Sequence, residues 1–292
     1  MILLTGANGV VGEPMREQLA SQAMPHKSVS RTHRGDVVWD LSQRLKLEQK
    51  ARLSGCTSLI HCAPIWLLPQ HIEELRELGI GRAVVFSSTS VLSKSESEDS
   101  QEQKLVASLS TAEQTLKEAC MRLSIELTIL RPSMIYGYGN DQNVMQIAGF
   151  IKRFGFFVLA GKGIGLRQPV HADDLVTAAL TSLERPAAYV RTYNLAGGET
   201  LTYRAMVTRI FSGLNKPVRI VAIPLPLFRA CLKIASYFGR FDYTPEMADR
   251  MSQDLNYDYS AAEQEIDFMP QEFLLKPQRD LVLDSPVKRQ QG

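Results

Sequence analysis

Short apolar runs recur along the first half of the chain, and most are followed by a longer stretch whose apolar residues fall three and four apart. Residues 2–5, 28–30, 37–39, 58–62, 83–87 and 126–130 are rich in β-branched and aromatic side chains and predict strands. Between them, residues 13–23, 43–53, 70–78 and 106–122 predict helices. In the last of these, Leu109, Ala112, Leu116 and Ala119 share one face at the helical period. Strands that alternate with helices in this way predict a doubly wound α/β fold around a parallel sheet.

After Pro132 the texture changes. A loop rich in Gly, Tyr and Asn (136–143) leads into a predicted helix over 144–153, and a glycine cluster follows at 161–165. Residues 218–238 form the most apolar later stretch, but Pro224, Pro226, Arg229 and Lys233 interrupt it. It is too broken for a membrane span and reads as a strand followed by a partly buried helix, with a membrane-surface helix as the rival reading. The tail past Asp284 is polar and predicts a poorly ordered end.

Composition narrows the function classes. Lys and Arg number 33 against 31 Asp and Glu, a formal charge of +2, which gives no overall field suited to nucleic acid or to an anionic membrane. Apolar residues at 45% and charged residues at 22% are ordinary for a folded globular protein. The four cysteines, Cys56, Cys62, Cys120 and Cys231, have neither disulfide-framework nor zinc spacing, so no metal is expected and a reducing cytoplasm fits. The first apolar run begins at Ile2 and leaves no room for a signal peptide.

The segment with the clearest chemistry is Thr5-Gly6-Ala7-Asn8-Gly9-Val10-Val11-Gly12, which joins the first strand to the first helix. A turn there needs glycine, a phosphate needs bare backbone to approach, and a helix start offers free N–H groups and a favourable dipole. Such a loop after a first strand predicts a pyrophosphate cradle. TGANGVVG resembles the phosphate loop of the short-chain dehydrogenase/reductase superfamily, in its extended branch of nucleotide-sugar epimerases, dehydratases and reductases. Further segments resemble that branch in order. Asp40-Leu41 resembles the pair that holds adenine, and Leu59-Ile60-His61-Cys62-Ala63 a strand whose end passes the cofactor. Val84-Val85-Phe86-Ser87-Ser88 resembles the strand that ends at the catalytic serine. Arg131-Pro132-Ser133-Met134-Ile135-Tyr136-Gly137 and Arg167-Gln168-Pro169-Val170-His171-Ala172-Asp173-Asp174-Leu175 resemble two later motifs.

The resemblance implies a Rossmann-type dinucleotide-binding domain over residues 1–137, completed by about 168–197. A smaller C-terminal substrate lobe would take 138–167 and 198–284, with 285–292 as a flexible tail. The implied cofactor ligands are Gly6, Asn8, Gly9, Val10, Val11, Gly12, Asp40, Leu41, Cys62 and Ala63. About 20 residues past the loop, where a 2′-hydroxyl reader places an acid, stand Arg31 and then Arg34. Arginine meets a 2′-phosphate with charge-assisted bonds, so NADP is expected over NAD.

The superfamily follows its serine with Tyr-x-x-x-Lys, yet no tyrosine here has lysine four residues later. Alignment puts Leu105 and Leu109 at those places. Ser88 is the expected hydroxyl for polarising a carbonyl, with Tyr136 as the second candidate proton donor, whereas His61, His171, Glu113 and Asp174 read as structural. Asn143 and Arg167 resemble the branch's diphosphate ligands, which implies a small-molecule substrate such as a nucleoside-diphosphate sugar. An oxidoreductase or epimerase is the favoured reading. The alternatives are a non-catalytic NADP-binding sensor or assembly protein and a reductase of another small carbonyl. A homodimer stays open, and neither nucleic acid nor membrane is expected as a partner.

Overall fold

The structure is a computed structural model that describes residues 1–32, 34–93, 99–228 and 251–282. The chain begins with β1 (Ile2–Thr5), α1 (Gly12–Ser21), β2 (His26–Ser30), β3 (Val37–Val38), α2 (Leu47–Leu53) and β4 (Ser58–His61). Then come α3 (Ile72–Glu77), β5 (Arg82–Phe86), α4 (Ser90–Ser93), α5 (Ser100–Leu123) and β6 (Glu126–Pro132). The middle of the chain supplies β7 (Ile135–Tyr136), α6 (Asn143–Phe154), β8 (Phe157–Ala160), β9 (Leu166–Arg167) and β10 (Val170–His171). The last described elements are α7 (Ala172–Glu184), β11 (Arg191–Leu195), β12 (Leu201–Thr202), α8 (Tyr203–Gly213), β13 (Ile220–Ile223), α9 (Ser260–Ile266) and α10 (Pro277–Asp280).

Two units follow from this order. The first comprises the described residues of 1–133, 172–195 and 257–269. Its sheet is parallel throughout, in the order β11-β6-β5-β4-β1-β2-β3. Apolar strands buried on both faces are what a parallel sheet covered by helices requires; β1 and β5 are buried at every position. The strand order reverses at β1, where Thr5 pairs with Val29 on one side and His61 on the other. The carboxyl ends of β1 and β4 therefore meet at the topological switch point, the usual ligand crevice of such sheets. The second unit comprises the described residues of 134–171, 196–256 and 270–282. Its core is built from α6, β8 and α8, with Ile147, Ile151, Phe157, Leu159, Ile210 and Phe211 buried together.

The fold class read from the sequence is the one observed, with shifted element ends. The helix expected from residue 43 begins only at Leu47. Ahead of it the Ser42 N–H is taken by Asp40, Trp39 Nε1 donates to the Gln43 carbonyl, and the Gln49 side chain takes the Lys46 N–H, which makes a turn of residues 40–46. Helix α5 begins earlier than expected because the Asp99 carboxylate accepts from the N–H groups of Gln101 and Glu102 and so caps it. The strand expected at the head of 218–238 is β13. The helix expected after it lies, from Arg229 onward, outside the described residues, as do Cys231 and the tail expected over 285–292.

Candidate functional site

In the first unit the chain leaves β1 through Gly6, whose φ of +73° suits glycine. A Cβ there would stand 2.4 Å from the Ala63 nitrogen, and one on Gly12 only 2.0 Å from the Gly6 carbonyl oxygen. These two glycines are demanded by the backbone itself. Gly9 differs: an added Cβ would meet nothing closer than the Gly6 oxygen at 3.4 Å. The Gly9 N–H donates to that oxygen, and the Gly9 carbonyl accepts from Glu13. Helix α1 then starts behind Val11 with no side-chain cap. Bare backbone beside an uncapped helix start suits an anion such as pyrophosphate.

The loop is tied to both neighbouring strands. Asn8 Nδ2 donates to Ser30 Oγ at 2.7 Å, which fixes the loop against the end of β2. Cys62 gives its N–H to the Thr5 carbonyl, and burial pushes its thiol up, away from thiolate chemistry. His61, fully buried, shares a 2.7 Å bond with Thr5 Oγ1, and burial holds it down to about 4, so it links strands as a neutral ring. Val10 is half-buried and Val11 buried. Arg31 and Arg34 are exposed just past β2. The Asp40 carboxyl is held below the ordinary range, first by the N–H and hydroxyl of Ser42 and further by the nearby charge of Arg31. Asp40 lines a cleft of about 430 Å³ beside β3, with Trp39, Arg44, Lys46 and Arg52. Leu41 points its side chain into the core instead, while its carbonyl accepts from Gln70 and His71.

Ser88 lies two residues past β5, half-buried. Its hydroxyl donates to Ser90 Oγ at 3.0 Å and accepts the Ser90 N–H, a local serine turn. Beneath it is a network that the sequence reading missed. Ser87 Oγ donates to Glu113 Oε1 at 2.5 Å, and Arg131 reaches both carboxylate oxygens of Glu113, through Nε at 2.9 Å and through NH2. The signal was a carboxylate at Glu113 within the apolar face of α5, beside Leu109, Ala112 and Leu116; a buried acid requires a partner. Leu109 lies in the core and Leu105 packs against it.

The second unit places its expected site residues differently. Tyr136, read as a candidate proton donor, is fully buried. Its hydroxyl donates to the Glu272 carbonyl and accepts the Leu274 N–H, and its ring packs edge-on against His171 and Phe273, so it anchors the C-terminal segment and leaves no hydroxyl for a substrate. Arg167, read as a diphosphate ligand, is 2% exposed and donates to the carbonyls of Leu166 and Gln253. Asn143 is exposed at the first position of α6, where the capping acceptor is Asp141, at 2.7 Å from the Val144 nitrogen. Burial pushes the Asp141 carboxyl up to about 6, against the pull of its backbone hydrogen bonds. His171, fully buried, meets Asp280 Oδ1 at 3.0 Å, and Arg279 approaches the same ring nitrogen. Among the described residues no His, Cys, Asp and Glu cluster is arranged to hold a metal ion, and no helix is long and apolar enough to cross a membrane.

Residues 70–196 match the NAD dependent epimerase/dehydratase family. The chain is 24% identical over 167 residues to UDP-glucose 4-epimerase of Vibrio cholerae, which spans 57% of this chain and 49% of that protein. It is 30% identical over 122 residues to N-acetyl-alpha-D-glucosaminyl-diphospho-ditrans,octacis-undecaprenol 4-epimerase of Escherichia coli O157:H7, over 40% of this chain and 35% of that protein. The first curated relatives matched are likewise spanned over only 38% and 30% of their lengths. In fold, the chain is similar to UDP-glucuronic acid 4-epimerase of Bacillus cereus, solved in complex with NAD. The TM-score is 0.73 at 14% identity, over 97% of each chain.

Proposed function

We propose, from a chain that carries an NAD dependent epimerase/dehydratase segment on the fold of the extended short-chain dehydrogenase/reductase sugar epimerases, that it binds a nicotinamide dinucleotide and acts on a diphosphate-linked sugar. The observation that carries this reading is the loop between β1 and α1. Gly6 and Gly12 are fixed by backbone contact, Gly9 is spared it, and the helix start has no side-chain cap. Those residues fit a pyrophosphate, with Gly9 where it approaches and the first turn of α1 facing its charge. The dinucleotide, when bound, supplies hydride exchange.

NADP is the proposed form, because Arg31 offers a cation beyond β2 where a carboxylate would serve a 2′-hydroxyl. Ser88 is the proposed catalytic residue. Its Oγ must leave Ser90 and donate to a substrate carbonyl oxygen, while Ser87, held by Glu113 and Arg131, keeps the end of β5 in place. Leu105 and Leu109 cannot move a proton, so turnover rests on Ser88 without the superfamily's tyrosine and lysine. The test is Ser88→Ala against the parent, with NADPH and a panel of nucleoside-diphosphate and polyprenyl-diphosphate sugars. Loss of a positioned donor is expected to lower kcat about 100-fold or more at unchanged cofactor affinity. Unchanged turnover would move the chemistry away from Ser88. No turnover by the parent on any sugar, with dinucleotide still bound, would favour the sensor or assembly reading.

A further inference from the structure

The second unit contains two acid-free stretches of sequence and an exposed aromatic face. Acids make up 31 of the chain's 292 residues, yet none occurs in 142–172 or in 200–241, two stretches that together hold eleven lysines and arginines; of these, Arg167 is buried against backbone carbonyls and Arg209 pairs with Glu199. Within them, β8 and β13 form a two-stranded parallel sheet with Val158 opposite Val221, and the Phe157 N–H donates to the Arg219 carbonyl. Alternation along β8 sends Phe157 and Leu159 into the core. It turns Phe156 the other way, to 37% exposure, with Val221 at 49% on β13. The end of α6 adds Phe154, 40% exposed, whose ring centroid lies 6.4 Å from that of Phe156. Arg153 lies over the Phe154 ring at 5.1 Å, and Arg219 is exposed immediately before β13.

We propose that this face, Phe154, Phe156 and Val221 bordered by Arg153 and Arg219, docks on the surface of an anionic lipid bilayer. Aromatic rings are at home in the headgroup region, and cations at their border gain from its negative potential. An apolar face meant for the protein's own core would not be rimmed by cations over two stretches devoid of acids. A zwitterionic surface would give those cations no return. The chain's overall charge is balanced, so it is Arg153 and Arg219, at the border of this face, that select anionic lipid as the occupant.

Flotation of the full chain with phosphatidylcholine vesicles, and with vesicles holding roughly 30% phosphatidylglycerol, tests this without cofactor or substrate. Binding is expected to the anionic vesicles only, and to weaken as salt rises. Arg153→Gln and Arg219→Gln should each lower the partition coefficient about fivefold. Phe156→Ser should lower it about tenfold. Thermal unfolding and gel filtration of each variant establish that it folds; the two arginine variants, exposed at the surface, keep the test open if Phe156→Ser does not. Absence of binding, equal binding to both vesicles, or binding unchanged in the arginine variants would overturn the proposal. A concentration-dependent dimer that Phe156→Ser dissociates, with no vesicle bound, would assign the face to a second copy and overturn it equally.

Discussion

Three glycines of one loop carry different constraints, and substitution separates them. Gly12→Ala drives a Cβ to 2.0 Å from the Gly6 oxygen, so the loop or α1 must shift; a loss of about 2 kcal/mol or more in stability is expected by urea unfolding. Gly9→Val has room within the protein. It should leave the unfolding midpoint of the unliganded chain nearly unchanged and abolish the upward shift expected on adding NADPH to the parent. Equal shifts in parent and Gly9→Val would remove the pyrophosphate from this loop. At Glu113 the cost is electrostatic. Glu113→Gln keeps the shape but leaves the half-buried Arg131 without its counter-charge, and stability should fall by about 3 kcal/mol in chemical denaturation. A loss under about 0.5 kcal/mol would mean that Arg131 finds another acceptor.

At the scale of elements, α6 is held by a cap with an unusual pH signature. Asp141 accepts from Val144 and Met145, yet burial raises its carboxyl from 3.8 to about 6. For an acid raised on folding, the native state holds its proton longer than the unfolded chain does. The contribution is therefore fully present below pH 4 and is lost as pH rises through about 6, by about 3 kcal/mol in the limit. Asp141→Asn keeps an acceptor oxygen for the cap and removes the titration. Its stability relative to the parent should rise between pH 4 and pH 7 in paired urea unfolding curves, and a pH-independent difference would contradict the assignment. The order of strands and helices was legible in the apolar periodicity, because β1 and β5 of the sheet are buried on both faces and helices such as α5 and α7 bury one. Helix starts were less legible. They depend on which side chain captures which N–H, as Asp99 does for α5 and Asp141 does for α6, and a strand-and-helix pattern carries no such information.

Across the whole molecule, the sequence is legible where backbone chemistry dictates residue type and less so where long-range partners decide what a side chain touches. Gly6 and Gly12 could be read in order, since close backbone contact at the end of β1 admits little else, while Gly9 is under no such constraint. Arg167 was read as a diphosphate ligand from the resemblance, and Tyr136 as a candidate proton donor from its hydroxyl and its place in the motif. Both are consumed by carbonyls, Glu272 for the one and Gln253 for the other, more than 80 positions away in the chain. Glu113 was read only as a helix-face residue, although its place in an apolar face already required Ser87 and Arg131. The proposed function requires a dinucleotide at the β1–α1 loop and a 2′-phosphate met by Arg31. The most direct measurement is calorimetric titration of the parent and of Arg31→Asp with NADPH and with NADH. The expected result is one site per chain, with NADPH tighter by about 10- to 150-fold in the parent and the order reversed in Arg31→Asp. Absence of binding by either dinucleotide would contradict the account at its root, and equal affinities for the two would contradict the role given to Arg31.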